Sequence, residues 1–141
     1  MIRKYRQQDA DRLIAIWRSA SDLAHPFLSK SFQDEAQKLI REVYLPQAET
    51  MILEQNGTIQ GFIALIGNTI GGLFVDPDAI GKGYGRALVD WAYAEKGPLE
   101  VEVFRDNPIG RRFYDRYGFV FKEEAIDEPS GFPIMRMTYR G

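Results

Sequence analysis

The chain of 141 residues contains no cysteine and only one histidine. The absence of cysteine excludes a disulfide framework, a thiol nucleophile and a cysteine-built metal site. A single histidine argues in the same way against a histidine-built metal site, which needs several such ligands. We therefore expect a protein without a bound metal ion.

A charge excess and long apolar runs are also missing. The net charge is −2, and no run of Lys and Arg predicts a nucleic-acid-binding surface. No apolar run approaches membrane-spanning length, and the charged residues of Met1–Arg6 precede no apolar core of a secretory signal. These absences predict a cytoplasmic protein that binds neither nucleic acid nor membrane. The length and the 45% hydrophobic fraction predict a single globular domain over residues 1–141.

Apolar periodicity predicts the element order β-α-α-β-β-β-α-β-α-β-β. Asp9 is expected to cap the first helix, and Ser31 to begin a second helix that Pro46 stops. Asn56-Gly57 predicts a hairpin between the second and third strands. The fold class is therefore α/β (α+β), with a mixed, mostly antiparallel, twisted sheet and helices on both of its faces.

A glycine-rich turn in mid-chain joins a strand to a helix. The strand ends in Leu73-Phe74-Val75, and the turn reads Gly81-Lys82-Gly83-Tyr84-Gly85-Arg86. Glycines let successive backbone N–H groups converge, and the start of a helix adds partial positive charge. This combination predicts a cradle for a phosphate-bearing ligand.

Two common phosphate motifs do not fit this turn. A P-loop requires Lys and then Ser or Thr after its last glycine, whereas Gly85 is followed by Arg86 and Ala87. The dinucleotide fingerprint requires a third glycine where Arg86 stands. The ligand is therefore expected to be neither a P-loop nucleotide nor a dinucleotide.

A second motif covers residues 107–119. It reads Asn107, a small residue three positions on (Gly110), then Phe113-Tyr114, then Gly118-Phe119. Helical spacing places Ile109, Phe113 and Tyr117 on one apolar stripe and leaves Tyr114 facing outward above Gly110, beside a groove that a slender ligand arm could fill. A half-exposed Tyr that only covers the core is the structural alternative.

The two motifs, in this order and spacing, resemble those of the GNAT superfamily of N-acetyltransferases, and the element order is similar along nearly the whole chain. In that family the turn usually begins with Arg or Gln, where this chain has Ile80; Gly83 and Gly85 match the small-residue places. The resemblance implies acetyl-CoA as co-substrate, held with weaker affinity because of Ile80. It implies cofactor contacts at Phe74, Val75, Gly81, Lys82, Gly83, Tyr84, Gly85, Arg86 and Asn107.

The chemistry of the transfer suggests an acid and a base. A phenol is protonated at neutral pH, so Tyr114 is suited to protonate the departing thiolate. Glu100 and Glu102 lie on one face of a predicted central strand, where carboxylates suggest a wet cavity. The preferred base is Glu102, acting through water, with Glu100 second; a solvated strand face is the alternative. Transfer would be direct because no cysteine can carry the acetyl group.

The resemblance places the acceptor amine between His25-Pro26-Phe27 and Phe132 on opposite walls of a pocket. A helix-ending cap is the structural alternative for His25. Acidic residues near the expected mouth could favour a cationic amine: Asp76, Glu100, Glu102, Asp127 and Glu128. A small amine, a peptide N-terminus and a protein lysine remain open as acceptors, as do a monomer and a homodimer. The rival function is a CoA-binding sensor without turnover.

Overall fold

Seven strands form one twisted sheet in the computed structural model, which describes residues 1–141. They are β1 (Ile2–Lys4), β2 (Glu49–Gln55), β3 (Thr58–Ile66), β4 (Thr69–Val75), β5 (Leu99–Phe104), β6 (Val120–Ile126) and β7 (Pro133–Tyr139). Their order across the sheet is β1-β2-β3-β4-β5-β7-β6. All neighbours are antiparallel except β4 and β5, which run parallel.

The helices lie between the strands in the expected order. They are α1 (Ala10–Ala24), α2 (Lys30–Leu39), the single turn α3 (Leu45–Gln47), α4 (Tyr84–Lys96) and α5 (Pro108–Tyr117). Short 3₁₀ turns precede α1 at Gln7–Asp9 and follow β4 at Pro77–Ala79. None of these helices is both long and apolar enough to span a membrane.

Each face of the sheet buries its own apolar core. Leu88, Val89 and Ala92 of α4 pack on the face that carries Val101 and Val103. On the opposite face, α1 packs through Leu13, Ile14, Ile16 and Trp17 against Ile52 and Phe62. The predicted mixed sheet with helices on both faces is therefore confirmed.

The start of α1 differs from the prediction. Asp9 makes no cap bond to α1; its carboxylate accepts a hydrogen bond from the Arg6 backbone N–H at 2.9 Å and pairs with the Arg3 guanidinium at 2.9 Å. The Arg3 pair is the largest influence on Asp9 and holds the pKa of its carboxyl below the ordinary value. The partly exposed Arg3 thus pairs with the side chain that local propensity assigns to a cap.

The bounds of α2 also differ. Ser29, not Ser31, caps this helix, because its hydroxyl accepts the Phe32 N–H at 3.1 Å. The helix does not stop before Pro46; it continues through a π-helical turn at Ile40–Tyr44, and Pro46 lies in the first turn of α3. Proline fits there because the first turn of a helix has no partner for its N–H.

The predicted hairpin turn is confirmed, and the sheet also contains a bulge. Asn56 and Gly57 both have positive φ, 54° and 76°, as a tight hairpin turn requires. In β4, Ile70 pairs with Leu65 and Gly72 with Ala64, so Gly71 is an extra, bulged residue.

The feature that positions the site is the parting of β4 from β5. These parallel strands pair only at their first residues, Thr69 with Glu100 and Ile70 with Val101. Beyond them, Gly71–Val75 and Glu102–Phe104 make no ladder pairs with one another. The sheet therefore opens into a wedge at the carboxyl ends of its two middle strands.

Candidate active site

A cleft of about 560 Å³ lies at this wedge. Its volume is in the usual range for a small-molecule site. It is walled by the end of β4, the turn before α4, the carboxyl end of α1 and one side of α5. The lining includes ten residues predicted from the sequence: His25, Phe74, Val75, Gly81, Gly83, Tyr84, Gly85, Arg86, Asn107 and Tyr114.

The glycine turn forms one wall of the cleft. Its positions require glycine for different structural reasons. Gly81 and Gly83 have φ of 88° and 82°, the left-handed region that side chains avoid. Gly83 is the residue just before α4, so the first N–H groups of that helix open toward the cleft. Gly85 is kept small by packing, because a Cβ there would lie 3.2 Å from the Phe113 ring. Lys82 is exposed and does not line the cleft.

Four cations surround this turn without a carboxylate partner. Lys82 and Arg86 come from the turn itself, and Arg112 and Arg116 come from α5. None of them forms an ion pair, whereas most of the chain's other cations do. The Arg86 guanidinium lies 5.2 Å from the centre of the Tyr117 ring. Helix N–H groups and unpaired cations fit a ligand that carries several phosphates.

Sequence reasoning missed Arg112 and Arg116. Both line the cleft, one helical turn apart on α5. Their spacing of four residues next to the Phe-Tyr motif is the signal that could have found them.

Tyr114 is buried rather than outward-facing, with 7% of its surface exposed. Its ring packs between Phe113 and Phe119, with centroids 5.2 Å away in both cases. Burial raises the pKa of its hydroxyl well above the ordinary value. The residue lines the cleft and makes no hydrogen bond within the protein, so the phenol remains protonated and its hydroxyl is available to a ligand.

The covered side of α5 correspondingly differs from the expected apolar stripe. Ile109 is 44% exposed and lines the cleft, and Phe113 and Tyr117 are only partly buried. Tyr114 is the most buried residue of the helix. Three-dimensional packing thus adds Gly110 and Tyr114 to the covered side of α5 and leaves Ile109 outside it, whereas Phe113 and Tyr117 still pack against the core.

Gly110 lines the cleft beside Tyr114, as expected, and also has a second purpose. The Asn107 side chain caps α5, since its Oδ1 accepts the Gly110 N–H at 2.9 Å. A Cβ at position 110 would lie 2.5 Å from Asn107 Nδ2 and 3.0 Å from Val103. Gly110 therefore makes room for the capping amide.

His25 joins α1 to this cap. It ends α1, as the structural alternative predicts, and its ring lies 3.1 Å from Asn107 Nδ2 through Nε2 and 3.2 Å from Ser21 Oγ through Nδ1. Both ring nitrogens are occupied within the protein. Burial lowers the pKa of His25 to about 4, so the ring is neutral at ordinary pH. Ser21, which no sequence signal singled out, is completely buried beside it.

On the acceptor side, the rings of Phe27 and Phe132 contact each other rather than forming opposite walls of a pocket. The Phe27 and Phe132 rings lie 4.9 Å from each other, and Phe27 lies 5.4 Å from Phe104. Neither Phe27 nor Phe132 lines the cleft. They connect to it through His25, whose ring is 4.9 Å from Phe104.

The structure does not bring Glu102 into the cleft. Its side chain is 47% exposed and accepts a hydrogen bond from Arg136 Nε at 2.7 Å. Glu100 lies 3.6 Å from Lys122. Asp76 pairs with Arg12 at 2.7 Å and also accepts the Asp78 N–H, and these contacts lower the pKa of its carboxyl. The acidic field expected at the mouth is largely neutralised by these pairs.

A glycine-rich turn at a helix start, unpaired cations and a buried phenol around one cleft are the features of a transferase with a long, phosphate-bearing co-substrate. Comparison with known proteins gives the same class. The family model "Acetyltransferase (GNAT) domain" matches residues 46–121. The peptidyl-lysine N-acetyltransferase YjaB of Salmonella typhimurium is 32% identical over 98% of this chain and 97% of its own length.

Solved structures show the same relationship. The solution structure of apo YjaB from Escherichia coli has a TM-score of 0.90 at 31% identity and covers 100% of this chain and 97% of that chain. The PaiA N-acetyltransferase of Thermoplasma acidophilum, solved with coenzyme A, shares the fold with a TM-score of 0.80 at 21% identity, covering 99% and 98%.

The chain belongs to the GNAT family of acetyltransferases. It is an N-acetyltransferase that transfers the acetyl group of acetyl-CoA to an amine. The structural features that fit this co-substrate are the unpaired cations, the helix start and the open wedge. Nothing found in the comparisons supports the alternative of a sensor without turnover.

Proposed function

We propose that this enzyme acetylates the side-chain amine of lysine in peptides or proteins. The observation that carries the proposal is the similarity to YjaB along nearly the full length of both chains, since that relative is named for peptidyl-lysine. The 26% identical YiaC of Escherichia coli carries the same description. Acetyl-CoA is an intracellular metabolite, which supports a cytoplasmic enzyme. We also propose that the enzyme works as one domain over residues 1–141.

The cleft supports a division of roles among the predicted residues. Backbone groups of Gly81, Gly83 and Gly85, with Tyr84, Lys82 and Arg86, hold the phosphates. The arm of the co-substrate follows Phe74 and Val75 and reaches the Asn107 amide. The acceptor approaches over the aromatic cluster that contains Phe27 and Phe132 and abuts His25. The acyl group passes directly from sulfur to nitrogen through a tetrahedral intermediate.

In this scheme Tyr114 is the general acid. When the tetrahedral intermediate collapses, the C–S bond breaks and the hydroxyl donates its proton, or a strong hydrogen bond, to the departing sulfur. A buried phenol with a raised pKa is protonated at every working pH, so Tyr114 always has a proton to donate. The attacking nitrogen loses its proton to a base or to water.

The acceptor class is tested with a matched panel. The acceptors are a lysine peptide with a blocked N-terminus, a lysine-free peptide with a free N-terminus, and spermidine, each assayed by thiol release and mass spectrometry. We expect kcat/KM for the blocked lysine peptide to exceed that for the other two by at least about tenfold, equal to ~1.4 kcal/mol of transition-state binding. Faster turnover of the α-amine or of spermidine would contradict a lysine acceptor.

Glu102 is the proposed base, acting through water, with Glu100 as the second choice. Its carboxylate lies outside the cleft and pairs with Arg136, so the role requires a bridging water. What supports the role is the face of β5 that Glu102 shares with Phe104, which packs against His25. We expect Glu102→Gln to remove or shift the limb of the pH–rate profile that reports amine deprotonation. Arg136→Gln is the control, because it removes the ion pair but leaves the carboxylate. An unchanged profile in Glu102→Gln would leave water or Glu100 as proton acceptor.

A further inference from the structure

The hydrogen bonds around Asn107 fix the tautomer of His25. Asn107 Oδ1 accepts the Gly110 N–H at 2.9 Å, so the group that faces His25 at 3.1 Å is the amide Nδ2, a donor. His25 Nε2 must then accept and carries no proton. The proton of the neutral ring is on Nδ1, which donates to Ser21 Oγ at 3.2 Å.

The surroundings keep this array neutral. Ser21 is 1% exposed and Asn107 is 7% exposed. The His25 ring meets the edges of Phe27 and Phe104, with centroids 5.8 and 4.9 Å away. Burial is the sole cause of its lowered pKa, so no charged group of α1, β5 or α5 compensates a proton on the ring. A second proton would also turn Nε2 into a donor facing the donor Nδ2.

The array leaves one polar hydrogen unused. Nδ2 of Asn107 has two hydrogens, and the protein accepts only one of them, at His25. Asn107 lines the cleft between the end of β4 and α5. Its second N–H is therefore available to an acceptor in the cleft, and the amide plane is held from both sides: by the backbone N–H at Oδ1 and by the imidazole at Nδ2.

We propose that His25 is a positioning residue for the transfer reaction: its unprotonated Nε2 holds the Asn107 amide so that the free N–H meets a carbonyl of the acetyl-CoA arm. Ser21 supports this by binding the proton on Nδ1. His25 thus acts through Asn107, eighty-two residues away, and not as a hydrogen-bond partner of the acceptor. The inference rests on the proposed contact between Asn107 and the co-substrate.

The tautomer can be measured directly because His25 is the only histidine of the chain. Side-chain ¹⁵N spectra of labelled protein need no assignment. We expect a protonated Nδ1 and a bare Nε2 from pH 5.5 to 8, with no titration near the ordinary pKa of about 6.5. Asn107→Asp is expected to move the proton to Nε2, where a carboxylate accepts it. A wild-type ring protonated at Nε2, or titrating near 6.5, would overturn the assignment.

A double-mutant cycle tests the function through calorimetric binding of CoA to His25→Leu, Asn107→Ala and the double variant. Losing one well-oriented hydrogen bond is expected to raise Kd about tenfold in Asn107→Ala and slightly less in His25→Leu. The double variant should bind no more weakly than Asn107→Ala, because His25 has no route to CoA except through Asn107. His25→Gln, which offers an oxygen near the Nε2 position, should recover part of the loss.

The outcomes separate the two claims. Unchanged CoA binding in Asn107→Ala would refute the contact between Asn107 and the co-substrate, whatever tautomer the spectra show. Weakened binding in Asn107→Ala together with normal binding in His25→Leu would refute the positioning role alone. Additive losses in the double variant would do the same. Thermal melting of each variant, and normal folding of His25→Gln, exclude unfolding as the cause of a loss.

Discussion

Tyr114 shows at the scale of one residue why a buried phenol can be kept in a core. Its ring contributes apolar packing with Phe113 and Phe119, which any aromatic side chain could supply. The hydroxyl adds nothing to that packing, because it has no hydrogen-bond partner in the protein. The hydroxyl oxygen is not itself buried, because Tyr114 opens on the cleft. A hydroxyl retained without a structural partner, on a residue that lines the cleft, is best explained by the reaction.

Tyr114→Phe is therefore expected to separate activity from stability. We expect kcat to fall about 100-fold, the typical contribution of a positioned acid, with little change in the KM for acetyl-CoA. The free energy of unfolding should stay within ~1 kcal/mol of wild type or rise, because no protein hydrogen bond is lost. Tyr93→Phe is the control, since Tyr93 does not line the cleft. Equal kcat in Tyr114→Phe and Tyr93→Phe would remove Tyr114 from the mechanism.

Elements whose ends depend on local chemistry could be predicted from the sequence. The Asn56-Gly57 hairpin follows from a backbone conformation that few residues adopt. The same holds for the phosphate turn, because the positive φ of Gly81 and Gly83 is a property of glycine itself. These signals also fixed the order of the elements and hence the fold.

Partners far apart in the sequence were beyond reach. Glu102 is expected in a wet cavity, but Arg136 on β7 pairs with it. The covered side of α5 depends on its contacts with β5 and Phe119, and periodicity within ten residues cannot place that side to better than about one residue. Long-range pairing, not local propensity, decides these positions.

At the scale of the whole molecule, His25 ties the stability of the fold to pH. Its pKa is about 4 in the folded protein and about 6.5 when unfolded. Between these values the unfolded chain binds a proton that the folded chain excludes. The contribution of His25 to the free energy of unfolding is therefore fully present above pH 6.5 and falls as the pH drops toward 4. The lowered carboxyl pKa values of Asp9 and Asp76 act mainly below this window, because unfolded Asp titrates near ~4.

We expect the free energy of unfolding to decrease by roughly 2 to 3 kcal/mol between pH 7 and pH 4.5 through this one group. Urea titrations at several pH values measure it. His25→Gln is the matched control: it should be less stable than wild type at pH 7 and should lose much less stability on acidification. Parallel pH curves for the two proteins would show that His25 is not buried in its neutral form.

The parting of β4 from β5 also determines how stiff the sheet is. Four strands lie on one side of the wedge and three on the other, and the ladder between them holds only at Thr69 and Ile70. The pantetheine chain of CoA carries two amides, so a molecule lying in the wedge can act as an additional rung between the half-sheets. A co-substrate bound there would link the two half-sheets, and the resistance of the sheet to shear across the wedge would increase with occupancy.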